Sequence, residues 1–171
     1  MRIFLTGFMG AGKTTVGQKL AALLALPFVD LDQEIERRAG ATVREIVEEQ
    51  GEPAFRRLEV EGLQAVLQRD DVVIATGGGT LTSEIGGRLI REAGLTVWLN
   101  PSFSTIVERI GVLGKIDRPL FRAETQVLAL YRERLAVYRK ADLTVDVAAG
   151  EAPEEVAARI ALLLRERRCA T

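Results

Sequence analysis

The stretch that decides the fold is Arg2-Ile3-Phe4-Leu5-Thr6 followed by Gly7-Phe8-Met9-Gly10-Ala11-Gly12-Lys13-Thr14. Residues 2–6 read as a short strand. Residues 7–14 satisfy G-x-x-x-x-G-K-[ST] in full, between a strand and a helix, which is the context that pattern requires. Gly7, Gly10 and Gly12 let the backbone bend so that successive N–H groups point inward at phosphate oxygens. The start of the following helix adds partial positive charge. Lys13 has the reach for β- and γ-phosphates, and the Thr14 hydroxyl suits Mg²⁺. The motif predicts a nucleoside triphosphate with Gly10, Ala11, Gly12, Lys13, Thr14 and Thr15 around its phosphates. It leaves the reaction open.

Outward from this loop, β-branched runs alternate with helix-period segments. Strands are predicted at 2–6, 27–30, 71–76, 95–99 and 143–147. Helices are predicted at about 12–25, 32–39, 42–51, 53–69, 83–94, 101–110, 123–141 and 153–168. In the first helix Val16, Leu20, Leu23 and Leu24 share one face, as do Val156, Ile160, Leu163 and Leu164 in the last. Thr42 with Glu45 is a capping-box signature. Residues 111–121 carry no regular pattern. Alternating strands and helices imply a parallel sheet covered on both faces. Ligands then bind beyond the carboxyl ends of the strands.

The 171 residues fit one domain, predicted to span 1–171. An apolar fraction of 47% and a charged fraction of 27% exclude disorder. Lys plus Arg number 23 against 24 Asp plus Glu, a balance that argues against a nucleic-acid binder. The absence of histidine excludes imidazole bases and Ser-His-Asp triads. Cys169, the single cysteine, cannot build an intrachain disulfide or a zinc cluster. The longest apolar run, Ala21 to Val29, falls short of the roughly 20 residues a membrane span needs. The four residues between Met1 and Thr6 are too few for a signal peptide. A cytoplasmic location without a membrane partner is the expectation.

Three further groups lie at predicted strand ends or near them. Asp30 and Asp32, two apart, would point the same way in an extended strand. One carboxylate could then support Mg²⁺ while the other takes a proton from a substrate hydroxyl. Asp32 equally suits a helix cap, and the two roles are compatible. Gly77-Gly78-Gly79 carries more backbone entropy than a plain turn requires, which favours close approach of a ligand. Arg56, Arg57, Arg118 and Arg139 suit a carboxylate or a phosphoryl group, or a solvated surface. A GTPase base-reading Asn-Lys-x-Asp is excluded, because the single Asn, Asn100, precedes Pro101.

In combination, GFMGAGKTTVG (7–17), PFVDLDQEIERRAG (27–40), GEPAFRRLE (51–59), ATGGGT (75–80), RPLF (118–121) and VYR (137–139) resemble the shikimate kinase family across essentially the whole chain. The resemblance implies a three-layer α/β/α P-loop kinase fold with a central five-stranded parallel sheet. It implies transfer of the ATP γ-phosphoryl group to the 3-hydroxyl of shikimate, with Mg²⁺, by a monomer. By the same resemblance, Asp32 would bind substrate hydroxyls and act as base. Arg56 and Arg139 would clamp the substrate carboxylate, and Gly77, Gly78 and Gly79 would line the pocket. Lys13 would contact phosphates, and Thr14 and Asp30 would hold the metal. Arg118 would stabilise the transferring group from a lid at about 111–122, and Arg109 would face adenine. The substrate region would span about 31–61. Phe121 departs from the usual Arg-Pro-Leu-Leu, and Ala149-Gly150-Glu151-Ala152 lacks the basic residue some members carry. Competing readings are a gluconate or nucleoside monophosphate kinase, and a nucleotide-binding module without catalysis.

Overall fold

A computed structural model describes residues 1–113 and 124–169. Five strands, β1 (Arg2–Thr6), β2 (Phe28–Asp30), β3 (Val72–Ala75), β4 (Leu95–Pro101) and β5 (Leu143–Val147), form one sheet in the order β2-β3-β1-β4-β5. Every pairing is parallel. The helices are α1 (Lys13–Leu24), α2 (Leu31–Ala39), α3 (Val43–Gln50), α4 (Glu52–Val66), α5 (Glu84–Ala93), α6 (Phe103–Leu113), α7 (Glu124–Tyr138) and α8 (Pro153–Cys169). The expected five-stranded parallel sheet is therefore observed, with element ends shifted by a few residues.

Side chains alternate across each strand, so the sheet feeds two separate cores. Ile3, Leu5, Val73, Val97 and Leu99 face α1 and α8, where Val16, Leu20, Val156 and Ile160 complete an apolar layer. Phe4, Val72, Ile74 and Trp98 face the opposite side, against residues of α2, α3, α4, α5 and α7. This two-sided burial explains why β3 reads as an unbroken apolar run. Leu23, expected on the inner face of α1, is instead 55% exposed. The small residues Gly17 and Ala21 take that packing surface, since a Cβ at Gly17 would meet the Phe28 ring at 2.5 Å.

Local chemistry sets the helix ends. Thr42 and Glu45 form the predicted reciprocal capping box, with Glu45 N–H to Thr42 Oγ1 at 3.2 Å and Thr42 N–H to Glu45 Oε2 at 2.7 Å. Ser83 caps α5 through Gly86 N–H. Gly94 follows α5 in extended backbone, and its lack of a side chain is a matter of space, because a Cβ there would lie 2.5 Å from the Arg2 carbonyl oxygen. Gly111, expected in the irregular segment, belongs to α6. α6 also takes in Val112 and Leu113, and residues 114–122 of the expected lid, including Arg118, lie outside the described residues.

Candidate active site

The chain turns at the carboxyl ends of β1, β2 and β3 around a cleft of about 1140 Å³. Gly7, Gly10 and Gly12 all hold positive φ, at 141°, 73° and 94°, as a phosphate-cradling loop requires. The Lys13 ammonium donates to the carbonyl oxygens of Gly7 at 2.9 Å and Phe8 at 3.0 Å, folding over the loop. Thr14 donates to Asp30 Oδ2 at 2.6 Å, so the end of β2 and the start of α1 share an oxygen pair at the cleft. Gly10, Ala11, Gly12 and Thr15 line the same wall. Arg109, from α6, donates to the Gly10 carbonyl at 3.0 Å, and Val147 and Pro153 also line the cleft.

Asp30 and Asp32 both line the cleft, but not by strand alternation. β2 stops at Asp30, and Leu31, fully buried, begins α2. Asp30 is the helix cap, its Oδ1 accepting from the backbone N–H groups of Asp32 at 3.1 Å and Gln33 at 3.3 Å. The capping expected of Asp32 thus falls to Asp30. Asp32 stands on the first turn of α2 with its Oδ1 close to Gly77.

Gly77, Gly78 and Gly79 are absent from the residues with positive φ, so what they supply is room. A Cβ at Gly77 would sit 3.0 Å from each of Asp32 Oδ1, Glu59 Oε1 and Thr80 Oγ1. One at Gly78 would sit 3.0 Å from Arg134 Nη1, and one at Gly79 2.8 Å from both terminal nitrogens of Arg56. Two guanidinium groups therefore flank consecutive glycines, beside the carboxylate of Asp32.

Arg56 is held by Glu59 at 2.8 Å and by Glu52 at 3.1 Å. Burial works against its charge, but the two carboxylates outweigh that and raise its pKa above the ordinary value. Arg139 is placed differently from the expectation. α7 ends at Tyr138, and Arg139 lies in the following turn, exposed and away from the cleft lining. Arg134, one turn before Tyr138, lines the cleft in its stead, with its guanidinium carbon 5.7 Å from the Phe8 ring centre. Residues four apart share a helix face, whereas neighbours diverge by about 100°. Since Tyr138 points into the core, Arg134 follows it inward and Arg139 cannot.

Arg134 falls in none of the sequence motifs, and Glu59, Thr80 and Tyr138 fall within motifs (51–59, 75–80 and 137–139) without a role of their own. Arg134 and Tyr138 are legible in retrospect as an i, i+4 pair. Glu59 is legible as a charge three residues after Arg56, on the same face of α4.

The Tyr138 hydroxyl donates to the Gly78 carbonyl oxygen and fixes the glycine row to α7. Its burial pushes the phenol up to about 12, partly offset by Arg134. The folded pKa thus lies above the ordinary tyrosine value of 10.0. Because burial holds the phenol neutral, the stability it contributes is complete below pH ~10 and lost as pH climbs through about 12. Tyr138→Phe is expected to cost about 1–2 kcal/mol in denaturant unfolding at neutral pH. It should also reduce the alkaline loss of stability, measured as unfolding midpoint against pH.

A family model described as shikimate kinase matches residues 9–165. The chain is 40% identical over 166 residues to the shikimate kinase of Aquifex aeolicus, covering 96% of each chain. It is 41% identical over 167 residues to that of Geobacter sulfurreducens, covering 96% of this chain and 91% of the relative. Among solved structures, the shikimate kinase from Acinetobacter baumannii in complex with shikimate aligns with a TM-score of 0.90 at 35% identity, over 97% of this chain and 93% of that one. The Aquifex aeolicus crystal structure aligns with a TM-score of 0.86 at 36% identity over the whole of both. With a phosphate loop, an aspartate and two arginines gathered at the strand ends of the same fold, the chain belongs to the shikimate kinase family of ATP-dependent kinases.

Proposed function

We propose that this chain transfers the γ-phosphoryl group of ATP to the 3-hydroxyl of shikimate, giving shikimate 3-phosphate and ADP on the route to aromatic amino acids. The observation that carries the reading is the single cleft with the Gly7–Thr14 loop on one wall and Asp32, Arg56 and Arg134 on another. The loop amides and Lys13 bind the phosphates. Asp32 orients the substrate hydroxyl and accepts its proton as the oxygen attacks phosphorus. Arg56 and Arg134, flanking Gly78 and Gly79, hold the substrate carboxylate by charge-assisted hydrogen bonds. Arg134 takes the clamp role that the family resemblance implies for Arg139. Arg109 is proposed to face adenine, with Val147 and Pro153 among the other residues lining the cleft. Arg118 is proposed to stabilise charge on the transferring group.

The Thr14–Asp30 oxygen pair fits Mg²⁺, a hard cation that takes one or two protein oxygens and completes its shell with phosphates and water. Among the described residues there is no cluster of three or more acidic or sulfur ligands, and an ion held chiefly by phosphates needs none. Bound there, Mg²⁺ would neutralise phosphate charge. Among the described residues no helix is long and apolar enough to cross a membrane. We place the protein in the cytoplasm as a monomer with no nucleic-acid partner.

ADP release from ATP, measured in parallel with shikimate, gluconate and AMP, tests the reading. Turnover with shikimate alone is expected. Turnover confined to gluconate or AMP overturns the substrate, and nucleotide binding without transfer to any of the three overturns the activity.

A further inference from the structure

The carboxyl group of Glu59 is 2% exposed, and Thr80 beside it is fully buried. A carboxylate removed from water needs donors for its oxygens. Glu59 Oε2 accepts from Arg56 at 2.8 Å, and Glu59 Oε1 accepts from the Thr80 hydroxyl at 2.5 Å. Thr80 is itself held in a tight turn, its N–H donating to the Gly77 carbonyl at 3.2 Å and its own carbonyl accepting from Ser83 Oγ at 3.0 Å. The second branch of Arg56 reaches Glu52, whose side chain is 62% exposed at the rim. Arg56 therefore has two anchors, one buried and rigid, one solvated. The rigid anchor is set by a hydroxyl from a different element, the loop after β3.

We propose that Thr80 is a positioning residue for recognition of the substrate carboxylate: its hydroxyl fixes Glu59, and Glu59 aims Arg56 across Gly79. The proposal rests on Arg56 binding that carboxylate. Without the hydroxyl, Glu59 Oε1 loses its donor and faces the carboxylate of Asp32 across Gly77. Glu59 then leaves its position, and Arg56 shifts toward Glu52.

Thr80→Ser and Thr80→Ala differ from each other only in the hydroxyl, so their comparison isolates it. The serine variant is expected to keep the KM for shikimate within about 2-fold of the unaltered chain. The alanine variant should raise it by roughly 10-fold, the size of one hydrogen bond to a charged group. The KM for ATP should stay within about 2-fold in both, and kcat should change less than KM. With the neutral carboxamide of shikimate, the gap between serine and alanine should vanish. If the alanine variant does not fold, Thr80→Val compared with the unaltered chain isolates the hydroxyl at full volume. Arg56 guanidinium NMR signals should be sharp in the serine variant and motionally averaged in the alanine or valine variant. Equal KM values for shikimate, a gap that persists with the carboxamide, or unchanged Arg56 signals overturn the proposal. If the unaltered chain fails to phosphorylate shikimate, the substrate assignment falls, and the Arg56 signals still decide the Thr80 relay.

Discussion

Asp32→Asn is expected to lower kcat by roughly 10²-fold or more, with the KM for ATP nearly unchanged. The amide keeps the size and one acceptor oxygen of the carboxylate but cannot take a proton. With no histidine in the chain, no imidazole can substitute. Among the described residues Glu59 is the nearest other carboxylate beside Gly77, and it is committed to Arg56 and Thr80. The variant should fold normally, because the cap of α2 comes from Asp30. Steady-state kinetics with both substrates varied provide the check, and a kcat within a few-fold of the unaltered chain would remove Asp32 as base.

The second large effect separates two arginines five residues apart. Arg134→Ala is expected to raise the KM for shikimate by about 30- to 100-fold, the cost of removing a charged partner from a desolvated carboxylate. Arg139→Ala should leave it within about 2-fold, because Arg139 is exposed in the turn after α7. ATP affinity, read by nucleotide titration, should survive both changes. A KM effect at Arg139 with none at Arg134 would return the clamp to the position read from the sequence.

Helix geometry, not adjacency in the chain, decides which of these arginines enters the cleft. The motif reading paired Arg139 with Tyr138 as neighbours in the chain. On a helix the pair that shares a face is separated by four, and only the direction of Tyr138 says which four. The tyrosine is fully buried against Trp98, so the cleft side of α7 passes through Arg134. A similar shift occurs at Asp30 and Asp32. Both were identified as site residues from their position after an apolar run. Their shared direction was attributed to strand alternation, whereas a strand-to-helix corner at Leu31 produces it.

Glycine shows both outcomes within one chain. In the first loop, positive φ at Gly7, Gly10 and Gly12 follows from the motif itself, since successive inward N–H groups need that backbone. In the Gly77–Gly79 row, the sequence announced a close approach but not its partners. Those partners are Asp32 and Glu59 at Gly77, Arg134 at Gly78 and Arg56 at Gly79, drawn from α2, α4 and α7.

By itself, the sequence determined the parallel sheet, the phosphate loop, Asp30 and Asp32 at its edge and Arg56 on α4. These are local patterns, carried by periodicity, by the backbone freedom of glycine and by motifs a dozen residues long. Only the tertiary structure decided that Arg134 and not Arg139 enters the cleft, that Leu23 faces outward, and that Thr80, Glu59 and Arg56 form one chain of hydrogen bonds. Each of these depends on which face of an element is buried against another, and that is fixed by packing between segments 20 or more residues apart, such as Thr80 and Glu59.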